Sequence, residues 1–143
     1  MSAPLFGLIE AGGTKFVLGV ATGPDDIIAT HRIDTTTPAE TIGAAVEWLS
    51  AHGPFAAIGI ASFGPLQLDK DASDYGCVTN TPKPHWSGAD LVGPFVKAFD
   101  CAIALDTDVN GAALAEVQWG AAKGAKSALY FTIGTGAGGG AVL

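Results

Sequence analysis

The order of apolar and amphipathic segments is the feature that most limits the fold of this chain. Apolar runs over residues 5–10, 15–21 and 27–33, separated by turns that contain glycine, predict three antiparallel strands at the start. The pattern then alternates between helix and buried strand. The predicted helices cover 38–52, 91–99 and 109–122, and the predicted strands cover 55–61, 101–105 and 128–132. This order predicts a mixed α/β sheet that binds ligands at the carboxyl ends of its strands.

The first helix has a start signal in its sequence. Thr37 and Glu40 form a capping box, and Pro38 stands at the first helical position, where a missing N–H group is tolerated. Gly53 and Pro54 end the segment. The change from strand period to helical period therefore falls at 37–38.

Length and composition are typical of one acidic, folded domain. The 143 residues are 48% hydrophobic and 15% charged, which supplies a core and argues against disorder. The formal net charge of −7 makes bulk attraction to nucleic acid or to an anionic membrane unfavourable. Residues 1–10 lack the basic flank and apolar core of a signal peptide, and no apolar run approaches the length of a membrane span. We therefore expect a cytoplasmic protein with no nucleic-acid or membrane partner.

Five glycines follow the last predicted strand within seven residues. Three of them, Gly134, Gly136 and Gly139, satisfy the G-x-G-x-x-G pattern that binds dinucleotides when a helix follows. Here residues 139–143 are instead typical of a return strand. The segment is then either a hairpin whose exposed N–H groups hold phosphate oxygens or an ordinary glycine-rich hairpin.

The first predicted turn has similar chemistry at the other end of the chain. Gly12 and Gly13 allow an anion to approach the backbone closely. Thr14 adds a hydroxyl group, and Lys15 adds a positive charge for a phosphate. The alternative is a simple turn between two strands.

Asp108 lies where a buried strand passes into a helix. A carboxylate at such a junction is placed to accept the proton of a hydroxyl group that attacks phosphorus. The alternative is that Asp108 or Thr107 only caps the helix. The local sequence leaves these two interpretations equally open, whereas it favours a structural role for Asp106.

A loop over residues 79–86 contains two prolines that stiffen it and polar groups suited to hydroxyl recognition. Trp86 is either a surface on which a sugar ring stacks or an anchor for a rigid loop, and composition favours the anchor. Cys77 and Cys101 lack the spacing of a zinc site. We expect both cysteines to be reduced, buried and inert.

Five motifs together resemble the ROK family of sugar kinases and, within it, the bacterial fructokinase branch. They occur in the family's order and at its spacings, and they cover essentially the whole chain. The triple threonine 35–37, the stretch 74–76 and the TPKP-x-W element are similar to the fructokinases rather than to the glucokinases. The five motifs are IEAGGTK, ASFGPLQL, TNTPKPHW, ALDTDVNGAALAE and TIGTGAGGGAV.

The resemblance implies an actin-like (ribonuclease H-like) ATPase fold with two lobes. It also implies transfer of the γ-phosphoryl group of Mg-ATP to a hexose, with fructose as the favoured acceptor. It implies that Asp108 is the general base for the sugar 6-hydroxyl. Many family members have Asn at the position of Thr107, which bears on hexose preference. The other residues that match family motifs are Gly12, Gly13, Thr14 and Lys15 for the first phosphate motif, Gly134, Thr135 and Gly136 for the second, and Gly64, Asn80 and Thr81 for the sugar.

The resemblance also implies a division of the chain. Residues 1–123 would form the N-terminal lobe, and 124–143 would begin a second lobe with the phosphate-binding hairpin. Any zinc site would lie in that second lobe. No metal ligand is assigned within this chain, because Glu10 stands where the wider superfamily has an aspartate near the metal. An isolated lobe would expose apolar surface, which predicts a homodimer.

Two other functions fit parts of the sequence. One is a non-catalytic sugar-binding or regulatory relative, although repressors of this kind carry an N-terminal DNA-binding segment and this sequence starts directly with its first strand. The other is a dinucleotide-binding domain, which a helix after Gly139 would support and a return strand would exclude. The 143 residues alone are also consistent with an inactive kinase fragment.

Overall fold

The computed structural model describes residues 2–134 and 136–143, which form a mixed α/β fold. A five-stranded sheet has the strand order β3-β2-β1-β4-β5, and a separate two-stranded sheet pairs β6 with β7. The strands are β1 (Phe6–Ala11), β2 (Lys15–Gly23), β3 (Asp26–Asp34), β4 (Ala57–Ser62), β5 (Ala102–Thr107), β6 (Ala128–Ile133) and β7 (Ala137–Val142). The helices are α1 (Pro38–Ser50), α2 (Gly93–Ala98) and α3 (Asp108–Trp119).

The five-stranded sheet has an antiparallel half and a parallel half. The strands β1, β2 and β3 are joined by short turns and pair antiparallel, as the sequence predicts. The strands β4 and β5 each follow a helix, and β4 pairs parallel with both β1 and β5. The predicted element order and the mixed α/β class are confirmed, while several predicted element ends differ from the observed ends by two or three residues.

The start of α1 agrees with its sequence signal. Thr37 is the N-cap, and its hydroxyl oxygen accepts a hydrogen bond from the amide of Glu40 at 3.4 Å. The carboxylate of Glu40 in turn accepts hydrogen bonds from the hydroxyl groups of Thr36 and Thr37 at 2.8 and 3.0 Å. These bonds, with that of Thr36 the stronger influence, lower the pKa of the Glu40 carboxyl group.

The hydrophobic core lies on one face of the five-stranded sheet. Ile9, Leu18 and Ile58 point from adjacent strands into this face and are at most 3% exposed. They pack together with the buried side of α1 and with Phe95 of α2. The opposite face is less covered, and Leu8 on it is 38% exposed. The helix α3 approaches this face where Gly111 lies against Ala61.

The segment between β4 and α2 is irregular, as predicted, but it is packed rather than free. Two isolated bridges, Leu66 with Val78 and Cys77 with Asp90, fold it back on itself. Trp86 is fully buried between the rings of Phe16 and Phe63, at centroid distances of 5.7 and 5.4 Å. The idea that a sugar stacks on Trp86 is therefore wrong, because this tryptophan anchors the loop in the core.

The two-stranded sheet answers one question that the sequence left open. Gly138, Gly139 and Gly140 belong to β7, which returns antiparallel along β6. No helix follows Gly139 within the part of the chain that the structure describes, and the return strand excludes a dinucleotide fold of the G-x-G-x-x-G type. None of the described helices is both long enough and apolar enough to cross a membrane.

The capping of α1 gives a test of the fold. In the full-length protein, Thr37→Ala removes the N-cap oxygen, and we expect the free energy of unfolding in urea to fall by about 1 kcal/mol. Thr37→Ser keeps the oxygen and is the matched control. A serine variant that loses as much stability as the alanine variant would show that the methyl group of Thr37, rather than the cap, is what matters.

Candidate active site

The register of the parallel strands sets the geometry of the site. The last residues of β1, β4 and β5 are Ala11, Ser62 and Thr107, and they stand side by side across the sheet. The segments that leave these three strands therefore start at one edge, spaced by about 4.8 Å per strand. They carry the first glycine turn, Gly64 and Asp108. Three groups of predicted site residues, far apart in the sequence, are brought to one edge.

The first glycine turn is held in a tight shape. The amide of Gly12 donates a hydrogen bond to the carbonyl oxygen of Lys15 at 2.9 Å, so this amide is used inside the turn. A Cβ atom on Gly12 would stand 2.7 Å from the same oxygen, whereas one on Gly13 would meet nothing within 4 Å. Thr14 and Lys15 are exposed. Gly12 therefore shapes the turn, while Gly13, Thr14 and Lys15 face open space.

The start of α3 shows which of Thr107 and Asp108 caps the helix, and therefore whether the Asp108 carboxylate is free for chemistry. Thr107 is the N-cap, and its hydroxyl oxygen accepts a hydrogen bond from the amide of Asn110 at 3.2 Å. Asp108 is exposed at the first helical position, where its Oδ1 accepts a hydrogen bond from the amide of Val109 at 2.9 Å. A carboxylate has about four acceptor positions, so most of the capacity of Asp108 remains open. The cap is thus Thr107, and the Asp108 carboxylate is available for chemistry.

Asp106 has a structural role next to this carboxylate. Its Oδ1 accepts hydrogen bonds from the side-chain amide of Asn110 at 2.8 Å and from the amide of Thr107 at 2.7 Å. These bonds tie the end of β5 to the first turn of α3. In the sheet, Glu10 and Asp106 are both in register with Ala61, so the two acidic residues share the face that α3 approaches.

The loop over residues 79–86 lies next to Gly64. Both the amide and the hydroxyl group of Thr79 donate hydrogen bonds to the carbonyl oxygen of Pro65, at 2.8 and 3.2 Å. Asn80, the next residue, is exposed. The amide and carbonyl groups of Thr81 both bond to the hydroxyl group of Ser87. The structure therefore brings the predicted sugar residues Gly64, Asn80 and Thr81 into one neighbourhood.

The second glycine motif reaches this region through α3. Gly140 lies so close to Val109 that a Cβ atom would stand 2.3 Å from the Val109 carbonyl oxygen. A Cβ atom on Gly138 would stand 3.3 Å from the Val109 side chain. The hairpin is thus packed beside the residue that follows Asp108. At its tip, the amide of Gly134 donates to the carbonyl oxygen of Gly136 at 2.8 Å. Thr135, the third residue predicted for this motif, lies outside the described residues.

Thr35 and Lys83 connect parts of the site, although the sequence assigns a role to neither of them. Thr35 is 7% exposed and contacts the first glycine turn, and Lys83 reaches Thr35 from residues 79–86, the sugar-side loop. These contacts span 23 and 48 residues of sequence. A single sequence holds no signal for contacts between residues so far apart. The only related feature in the sequence is the triple threonine 35–37, which contains Thr35.

The two cysteines have the character of structural residues. Both are free and half-buried. Burial raises the pKa of the Cys77 thiol, and the nearby Asp90 and Asp74 carboxylates add to the effect. Burial likewise raises the pKa of the Cys101 thiol, together with Asp100. A raised pKa keeps a thiol protonated and less reactive.

Within residues 2–134 and 136–143, no three acidic, His or Cys side chains converge to form a metal site of their own. A magnesium ion that arrives with nucleotide phosphates usually needs only one or two protein carboxylates. Glu10 and Asp106 supply two carboxylates on the sheet face beside α3, with Ala61 in register between them.

Known proteins are similar to this chain over nearly its whole length. The chain is 50% identical to a fructokinase of Zymomonas mobilis subsp. mobilis over 144 residues, which cover 97% of this chain and 48% of the relative. It is 44% identical to a fructokinase of Lactococcus lactis subsp. cremoris, with 96% of this chain and 46% of the relative covered. The chain thus spans about half the length of the curated relatives it matches.

Solved structures show the same fold. A ROK family glucokinase from Streptomyces griseus, in complex with glucose and AMPPNP, superposes with a TM-score of 0.79 at 29% identity. The superposition covers 97% of this chain and 44% of that glucokinase. The actin-like ATPase fold is therefore confirmed. The model of the ROK family matches residues 6–143, and this chain belongs to the ROK family.

Proposed function

We propose that the protein is a fructokinase that transfers the γ-phosphoryl group of ATP to the 6-hydroxyl of fructose. The observation that carries the proposal is the common edge of β1, β4 and β5, where a glycine turn, a glycine and an exposed aspartate follow three aligned strands. Phosphoryl transfer needs an anion site, a hydroxyl site and a base close together, and this edge offers a candidate for each. The curated relatives named fructokinase support fructose as the acceptor.

Asp108 is the general base in this mechanism. Its carboxylate accepts the proton of the sugar hydroxyl while that oxygen attacks the γ-phosphorus, and ADP leaves from the opposite side. The bonds of Asp106 to Asn110 and Thr107 hold the backbone from which Asp108 projects. Thr107 keeps a hydroxyl hydrogen to donate after its oxygen has capped α3, and it is suited to contact the sugar.

The first turn is the proposed site for the ATP phosphates. Gly13 and Thr14 would contact the phosphates through their backbone N–H groups. Thr14 adds a hydroxyl group, and Lys15 adds a positive charge that attracts the anion. Magnesium, when it is bound with ATP, neutralises phosphate charge, and Glu10 and Asp106 are the carboxylates that would hold it. Gly134, Thr135 and Gly136 are proposed to contact the phosphates from the hairpin side.

We further propose that residues 124–143 begin a second lobe. Leu129, Phe131 and Ile133 alternate along β6, and all three are at least 70% exposed. An apolar strand face of this kind needs a covering layer. The remaining sugar contacts and any zinc site would belong to that lobe. A homodimer and a cytoplasmic location stay predictions of the sequence.

Removing the proposed base gives the first test. In the full-length protein, Asp108→Asn keeps the size of the side chain but takes away the proton acceptor, so kcat should fall by about 10²- to 10⁴-fold. ATP binding, measured by calorimetry, should be retained. The matched control is Asp100→Asn, the same change just before the opposite end of β5, which should leave turnover unchanged. Normal turnover in Asp108→Asn would rule out this residue as the base.

The first turn gives the second test, through two neighbouring glycines. Gly12→Ala forces a Cβ atom against the Lys15 carbonyl oxygen, so the variant should unfold at lower temperature than the wild type. Gly13→Ala meets no protein atom, and its stability should change by less than about 0.5 kcal/mol. The methyl group would nevertheless stand where a phosphate approaches, and ATP affinity should drop by about tenfold. If Gly13→Ala binds ATP as tightly as the wild type, the phosphates lie elsewhere.

A further inference from the structure

We propose that Thr35 is a positioning residue that couples the nucleotide-side turn to the sugar-side loop. The proposal rests on the proposed kinase function, and it assigns a role to the triple threonine, which that function does not use. Thr35 follows β3 directly, and its side chain is buried beneath the turn between β1 and β2. It contacts both halves of the site while belonging to neither.

Thr35 fixes the glycine turn by two bonds. Its hydroxyl group donates to the carbonyl oxygen of Gly12 at 2.7 Å, and its amide donates to the carbonyl oxygen of Thr14 at 2.9 Å. Both carbonyl groups lie between the strands, beyond the regular ladder of β1 and β2. Thr35 thereby sets the direction in which Gly13 and Thr14 face.

The sugar-side loop is attached to the same segment. The ammonium group of Lys83 donates to the carbonyl oxygen of Thr35 at 3.3 Å, and the indole N–H of Trp86 donates to the carbonyl oxygen of Thr36 at 2.9 Å. The carbonyl group of Thr35 therefore accepts a hydrogen bond from the loop, while its hydroxyl and amide groups donate hydrogen bonds to the turn. A shift of the loop moves the peptide that positions the turn.

This arrangement predicts that loop and turn respond to each other. When sugar contacts Asn80 and Thr81, the loop that carries Lys83 is restrained, and the restraint passes through Thr35 to Gly12 and Thr14. Binding of sugar and nucleotide should then be coupled. Coupling of two sites through a shared element is reciprocal.

Kinetics of the full-length protein test the inference. Thr35→Val keeps the shape and the backbone bonds but leaves the Gly12 carbonyl oxygen without its hydroxyl partner, and the KM for ATP should rise about tenfold. Thr35→Ser keeps the hydroxyl group and should restore a KM close to that of the wild type. Thr30→Val is the matched control, since Thr30 is an exposed threonine of β3 that lies opposite Gly19 of β2, away from the turn. Its KM for ATP should not change.

A double-mutant cycle tests the coupling. Lys83→Met keeps the aliphatic stem and loses the bond to Thr35, and it should raise the KM for fructose. For each substrate, ATP and fructose, kcat/KM is measured in the two single variants, Thr35→Val and Lys83→Met, and in the double variant. The double variant should change each kcat/KM by clearly less than the product of the two separate effects, because both substitutions break the same connection. A double variant that matches that product within about twofold would overturn the coupling.

Hydrogen exchange provides a readout that does not depend on turnover. In both Thr35→Val and Lys83→Met, amides of residues 12–15 should exchange faster, while amides of β4 keep their wild-type rates. Unchanged exchange at 12–15 would overturn the positioning role of Thr35. If the wild type does not phosphorylate fructose but exchange changes as expected, the proposed function fails and the positioning role stands.

Discussion

The parallel pairing of β4 with β1 and β5 is the constraint on which the rest of this structure depends. It places Ala11, Ser62 and Thr107 in one row, so that three chain segments leave the sheet at the same edge. A shift of one residue in either pairing would reverse the faces of the side chains on that strand. It would also separate the glycine turn from Asp108. The arrangement of the candidate site therefore depends on backbone register before it depends on any side chain.

The two faces of the five-stranded sheet pack against different parts of the protein. One face carries the buried core, which includes Trp86 and so extends beneath the sugar-side loop. The other face is more open and is approached by α3, on which the β6–β7 hairpin packs through Gly138 and Gly140. The hairpin depends on glycine there because a side chain at Gly140 would collide with the backbone of α3. One face thus holds the core beneath the site, and the other carries α3 and the β6–β7 hairpin.

Sequence patterns predicted the fold better than they predicted the site. The capping box at Thr37, the turn at 12–13 and the return strand after the last glycines are local signals, and the structure agrees with each of them. The role of Asp108 rested on a resemblance, since the local pattern allowed a helix cap equally well. The structure assigns the cap to Thr107 and leaves the Asp108 carboxylate exposed.

The features that sequence missed depend on contacts between distant residues. Nothing near Thr35 in the chain shows that it supports Gly12, 23 residues away, or that Lys83 reaches it from the far side. Trp86 was ambiguous for the same reason, because its burial depends on Phe16 and Phe63. Periodicity indicates which face of an element is buried, but it does not indicate which partner covers that face.

A crystal structure of the full-length protein with fructose and AMPPNP would show where both ligands bind. We expect the phosphate groups to lie against residues 12–15 and the sugar 6-hydroxyl to lie within hydrogen-bond distance of the Asp108 carboxylate. Both ligands should occupy the edge formed by β1, β4 and β5. A nucleotide or sugar bound away from that edge would show that this edge is not the active site.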